Sequence, residues 1–198
     1  MPIIKLNINQ DLSDDEFDMI FADDILPASE IHFTPVDVSI IAARYLAEVA
    51  GTRVLDIGSG AGKFCVIGAT CTDGYFIGVE MRLSFSEEAS HISNVYDLAN
   101  VQFVHANITD INFTDYDAFY IFNPFQENIS ISDRINDEIP LNKAFYEEYT
   151  LYVKDQLDKM PLGTRLVTYF STCTEVPQSY HMQGSDFGGK LKFWEKVV

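Results

Sequence analysis

The sequence predicts an α/β fold: a doubly wound, mostly parallel sheet that closes with an antiparallel pair of strands. Three observations predict it. Short apolar runs of strand length, at 54–57, 75–80, 101–105, 117–122 and 164–171, alternate with segments of helical spacing, the pattern of β/α units. The first run enters a glycine-rich turn at 58–62 that opens a helix. The last two extended stretches, at 180–183 and 191–197, are separated only by GSDFGG, a hairpin connection.

Taken in order, residues 1–12 read as an arm or a short strand. Ser13-Asp14-Asp15-Glu16 is a capping-box pattern, and Phe17, Ile20 and Phe21 follow at helical spacing. This predicts a short amphipathic helix with an acidic outer face. It is either packed on the domain or a lid, and the pattern favours packing. The organisation expected is an N-terminal arm and acidic helix over 1–32, then a single domain over 33–198. In His32-Phe33-Thr34-Pro35, Thr34 suits an N-cap and Pro35 the first helical position. The helix is expected to run to about Ala50, with Gly51 ending it.

Val54 to Phe64 reads VLDIGSGAGKF. Gly58, Gly60 and Gly62 remove side chains where backbone approaches something closely, and the helix that follows aims its positive dipole end at the same spot. The dinucleotide pattern G-x-G-x-x-G fails, because Lys63 holds its third glycine place. The P-loop pattern fails too, because Ile57 and Phe64 hold two of its places. What remains is D-x-G-x-G-x-G. A carboxylate at Asp56 would repel a pyrophosphate and suits a ligand bearing an ammonium group. The stretch resembles motif I of the class I S-adenosylmethionine-dependent methyltransferases. That resemblance implies a Rossmann-like seven-stranded sheet and S-adenosyl-L-methionine as cofactor. It places Asp56 near the methionine end, with Ser59 in the glycine loop. The Phe33-Thr34-Pro35 triplet resembles the segment that closes over the methionine moiety in amino-directed members.

Glu80 ends the second strand, where a β-α-β unit sets a carboxylate beside the first glycine turn. The resemblance gives it the ribose diol, with Met81 on the adenine face. A helix is expected from about Ser84 or Ser86 to Leu98. The third strand, 101–105, leads to Asn107 and Ile108, placed at the adenine by the same resemblance. Asp is usual at the first of these, and the amide oxygen of Asn107 can accept in its stead.

The fourth strand runs into Asn123-Pro124-Phe125 at the carboxyl end of the sheet, where such sheets bind ligands. This resembles motif IV of amino-directed methyltransferases, Asn-Pro-Pro-aromatic, with the second proline missing. A carboxamide and a proline-fixed carbonyl accept from a target N–H, and the ring stacks on a planar group or a cation. Residues 126–141 show no periodicity and read as a loop over the substrate pocket, with Glu127 as the nearest further carboxylate. A helix is expected over about 142–160, with Phe145, Tyr149, Tyr152, Val153 and Leu157 as its core stripe.

Composition narrows the function classes. The 198 residues include 13 Lys and Arg against 30 Asp and Glu, a net charge of −17. Nucleic-acid binders need a basic footprint, so the expected acceptor is a small molecule or a protein. Nucleosomal-type protein lysine methyltransferases share a glycine loop and an Asn-Phe-like strand end, which keeps a basic protein acceptor in view. Three cysteines and four scattered histidines argue for free thiols in a cytoplasmic protein and against a metal site. No apolar run approaches the roughly 20 residues that span a bilayer. The reading is methyl transfer to an amino group, with Asn123, Pro124 and Phe125 at the acceptor. The alternatives are a non-catalytic binder of the same cofactor and an NAD-dependent oxidoreductase.

Overall fold

The computed structural model describes residues 12–130, 132 and 134–198. The arm expected over 1–12 lies, apart from Leu12, outside these residues. Seven strands form one sheet: β1 (Arg53–Ile57), β2 (Tyr75–Glu80), β3 (Val101–His105), β4 (Ala118–Phe122), β5 (Arg165–Tyr169), β6 (Tyr180–Asp186) and β7 (Leu191–Lys196). Their order is β3-β2-β1-β4-β5-β7-β6. The first five are parallel, and β7 inserts antiparallel between β5 and β6. The sheet order reverses between β1 and β4, a crevice that suits a ligand.

Helices cover both faces, so the central strands are apolar on both sides. α3 (Val36–Leu46), α4 (Lys63–Cys71) and α5 (Leu83–Val95) lie on one face, where Ala42, Ala43, Phe64 and Cys65 pack on Val54, Phe76 and Tyr120. α6 (Lys143–Asp158) covers the other, setting Tyr149, Val153 and Leu157 against Leu55, Ile57, Phe119 and Ile121. α1 (Asp14–Asp18) and α2 (Leu26–His32) share a core with the domain through Phe17, Phe21, Ile25, Phe33 and Phe85. The rings of Phe21, Phe33 and Phe85 meet edge to face at 5.1 and 5.9 Å, contacts worth about 0.5–1.5 kcal/mol each beyond burial.

The Ser13 capping box is present in full. The start of α3 differs from the sequence expectation. Pro35 is the N-cap, and the Thr34 hydroxyl bonds the Tyr120 hydroxyl at 2.9 Å instead of capping. Asp14 of α1 supplies the cap, accepting from the Val36 N–H at 2.9 Å. α3 stops at Leu46, where Ala47 leaves helical geometry at φ −107° and ψ 40°. α5 stops at Val95, and Asp97 turns the chain at φ 53°. α2 has Pro27 in its first turn as a start signal and no side-chain cap; the sequence reading places no helix there. The β6–β7 hairpin is longer than GSDFGG implies, because 184–186 join β6 after a bulge between Met182 and Gly184.

Candidate active site

A cavity of about 550 Å³ opens at the carboxyl ends of β1, β2, β4 and β5, in the size range of ligand sites. Of the sequence-derived site residues, Phe33, Gly58, Gly60, Glu80, Met81, Asn107, Ile108, Asn123, Pro124 and Phe125 line it. Thr34, Asp56 and Ser59 do not. They border a second, water-sized space behind the glycine turn. Gly62 lies in the core, where a Cβ would come 2.5 Å from the ring of Phe103.

The glycine turn is fastened to β2. The N–H groups of Gly58 and Ser59 donate to the Val79 carbonyl at 2.9 and 3.0 Å. Gly58 has φ 76°, and a Cβ there would meet that of Pro124 at 2.4 Å. Absence of a side chain at 58 therefore lets the end of β4 close over the turn. The glycine approaches protein here as well as the cavity.

Glu80 is buried and bridges two backbone segments. One carboxylate oxygen accepts from the Gly60 N–H at 3.0 Å and the other from the Arg82 N–H at 2.8 Å. A carboxylate offers about four acceptor positions, so capacity remains for a diol. Burial raises its pKa, and the bonds from Arg82 and Gly60 oppose the rise. Asp56 is 3% exposed and accepts from the Cys65 thiol at 3.4 Å. Burial pushes its carboxyl up to about 7; the thiol bond opposes this and the charge of Glu80 adds to it.

Asn107 is already engaged. Its amide oxygen accepts from the backbone N–H and the hydroxyl of Thr109, both at 3.0 Å, capping the short 3-10 turn Ile108–Asp110. Its NH₂ donates to the Tyr149 hydroxyl at 3.0 Å and contacts the Met81 sulfur at 3.4 Å. The oxygen that the sequence reading offers to an adenine is thus occupied by its own turn.

Asn123 follows β4 at φ 43°, a left-handed conformation that Asn tolerates better than most residues. Its carbonyl accepts from Gln126, while its carboxamide bonds none of the described residues and lies at the cavity wall. Phe125 faces Tyr149 at 5.5 Å. The loop after it roofs the cavity as expected. Glu127 is held by Arg82 through paired bonds of 3.0 and 2.7 Å and also accepts from the Ile135 N–H. A carboxylate so paired is a strut for the loop.

Sequence reasoning missed Arg82, Tyr149, Tyr169 and Phe170 as cavity residues. Arg82 carried a signal: it follows Glu80 by two places in a cation-poor chain. Tyr169 and Phe170 carried another, at the carboxyl end of the strand beside β4. Tyr149 carried none, since its spacing is that of a core stripe.

Comparison with known proteins gives the same fold. Similar solved structures include a putative methyltransferase, yhhF, from Escherichia coli (14% identity, 82% of this chain and 87% of that one, TM-score 0.58). An RNA methyltransferase from Salinibacter ruber in complex with S-adenosyl-L-homocysteine has 17% identity over 83% of this chain and 92% of its own, TM-score 0.55. An S-adenosylmethionine-dependent O-methyltransferase (TM0748) from Thermotoga maritima has 19% identity, 89% and 72% coverage, and TM-score 0.56. Some other neighbours are longer, and the chain spans little more than half of them. A search of curated proteins finds no match. The family model of the methyltransferase domain matches residues 48–181. The chain therefore belongs to the methyltransferase domain family and is a class I enzyme that uses S-adenosyl-L-methionine.

Proposed function

We propose that the chain methylates an amino group, on a small molecule or a protein, at the carboxyl end of β4. The observation that carries this reading is Asn123: a carboxamide at the cavity wall, bonded to none of the described residues, on a left-handed turn. The cavity fits the cofactor. Glu80 has acceptor capacity for a ribose diol, and Met81, Ile108, Gly58 and Gly60 line the same cavity, where they would hold the adenine and the methionine portion. When bound, S-adenosylmethionine supplies an electrophilic methyl on a sulfonium.

Asn123 Oδ1 and the Pro124 carbonyl accept hydrogen bonds from the acceptor N–H groups and aim its lone pair. With the cofactor bound, Asn123 and Pro124 would hold the acceptor nitrogen, deprotonated by solvent, facing the methyl group that the cofactor supplies. Held acceptors preorganised for the charge that appears on nitrogen lower the barrier. Phe125 walls the site, and the loop pinned by Arg82 and Glu127 limits water. The net charge of −17 supports an acceptor other than nucleic acid. Three free cysteines support a reducing, cytoplasmic setting, and the core shared by α1, α2 and Phe33 supports a single domain. No described helix is long and apolar enough to cross a membrane.

Asn123→Gly tests the reading, because it removes the carboxamide and keeps the left-handed turn. The variant should bind S-adenosylmethionine almost as tightly as the parent and transfer methyl groups to a fractionated extract roughly 100-fold more slowly. A folded variant with the parental rate would make Asn123 a turn residue and remove the amino acceptor from the account.

A further inference from the structure

The loop after β4 lines the cavity twice, through Gln126, Glu127 and Asn128 and again through Ile135, Ile139 and Leu141. Both stretches are tied to the start of α5. The Arg82 guanidinium donates to the two Glu127 carboxylate oxygens at 3.0 and 2.7 Å, and its Nε donates to Asn136 Oδ1 at 2.9 Å. Glu127 also accepts from the Ile135 N–H at 2.8 Å, which closes the loop on itself. Glu138 takes the Ser84 N–H at 2.9 Å and the Ser84 hydroxyl. One guanidinium thus spans the two cavity-lining stretches.

The same residue serves the ribose carboxylate. Arg82 lines the cavity and is 3% exposed, and its backbone N–H holds one oxygen of Glu80 at 2.8 Å. Its backbone therefore fixes Glu80 while its side chain fixes the loop. The side chain must be a planar fork of donors, because an ammonium cannot present paired bonds to Glu127 and a third to Asn136. Stability alone does not call for this arrangement: an apolar pair of similar volume is often as stable as a buried ion pair. An apolar pair does not, however, set the loop in one register against Glu80.

We propose that Arg82 is a positioning residue that latches this loop over bound S-adenosylmethionine, in register with Glu80, and so sets how long cofactor and product stay bound. The inference rests on the cofactor occupying this cavity and is independent of the nature of the acceptor. Arg82 touches no reacting atom. Its loss acts on release of the nucleoside, because the loop no longer holds the cavity closed.

Two variants test this. The double variant Arg82→Met, Glu127→Met removes the latch without leaving a buried charge unpaired. Arg82→Lys keeps the charge and loses the fork. In stopped-flow displacement, S-adenosylhomocysteine should leave both at least about tenfold faster than it leaves the parent, with association rates within about threefold. The ligand-free double variant should melt at the parental Tm, which a purely structural role for the pair does not predict. Hydrogen exchange gives a second readout: S-adenosylhomocysteine should slow exchange at the backbone amides of 135–141 in the parent and leave them unprotected in the double variant. A parental off-rate in the double variant, or ligand protection retained there, overturns the latch. A parental off-rate in Arg82→Lys overturns the need for the fork. Failure of S-adenosylhomocysteine to bind the parent overturns the cofactor site itself, a result distinct from loss of the latch.

Discussion

Substituting Gly58 by Ala separates two costs that the structure superimposes. The residue has φ +76°, which strains any L side chain, and its new Cβ would lie 2.4 Å from that of Pro124. The left-handed conformation alone costs roughly 1–2 kcal/mol. The contact is about 1 Å short of ordinary van der Waals distance, and forcing atoms into packed space costs about 1–3 kcal/mol more. Gly163 is the control: its φ is +83°, and nothing lies within 4 Å of its built Cβ. Urea unfolding should show Gly163→Ala down by about 1–2 kcal/mol and Gly58→Ala down by about 2–5 kcal/mol. The difference is the Pro124 contact. The same displacement moves Asn123 and Phe125, so transfer should fall on the order of 100-fold, as expected for a misplacement near 1 Å. Equal destabilisation of the two variants, with normal transfer by Gly58→Ala, would refute the claim that this glycine sets the end of β4.

Lys63 is buried with its ammonium 2.6 Å from both Asp14 and Asp18, so Lys63→Met should cost about 3 kcal/mol in urea unfolding, and a loss under 1 kcal/mol would make the cluster incidental. Asp56 has its pKa raised from the usual range near 3.9 to about 7, so the folded chain holds the proton longer than the unfolded one. Its contribution is full below pH 4 and is lost as pH rises to 7, on the order of 4 kcal/mol. Asp56→Asn should therefore gain stability relative to the parent as pH rises from about 4 to about 7, and a gap constant with pH would refute the shift. Glu80→Gln keeps an oxygen for one backbone donor and weakens the diol acceptor; S-adenosylmethionine affinity should fall by roughly tenfold or more, and unchanged affinity would make Glu80 only a brace for the turn.

Parts of the molecule legible in the sequence are local. The strand, glycine turn and helix from Arg53 to Cys71 follow from one apolar run and three glycines. The Ser13 capping box lies within three residues of the groups it bonds. Glu80 and Asn123 were legible because a strand's carboxyl end is a fixed place in this architecture. What stayed hidden depends on contacts between distant segments. The cap of α3 comes from Asp14, 22 residues away, which frees Thr34 for Tyr120. Glu127 reads as a solvated acid until Arg82, 45 residues off, is folded against it. Asn107 reads as an acceptor, but its own turn takes the oxygen. Phe170 reads as strand, but β5 ends at Tyr169 and Phe170 adopts φ 48°.

The most direct measurement is a structure of the chain with S-adenosylhomocysteine bound. The account predicts the ribose hydroxyls within hydrogen-bond distance of the Glu80 carboxylate and the sulfur facing Asn123. A nucleoside bound away from Glu80, or a sulfur that faces away from Asn123, would contradict it.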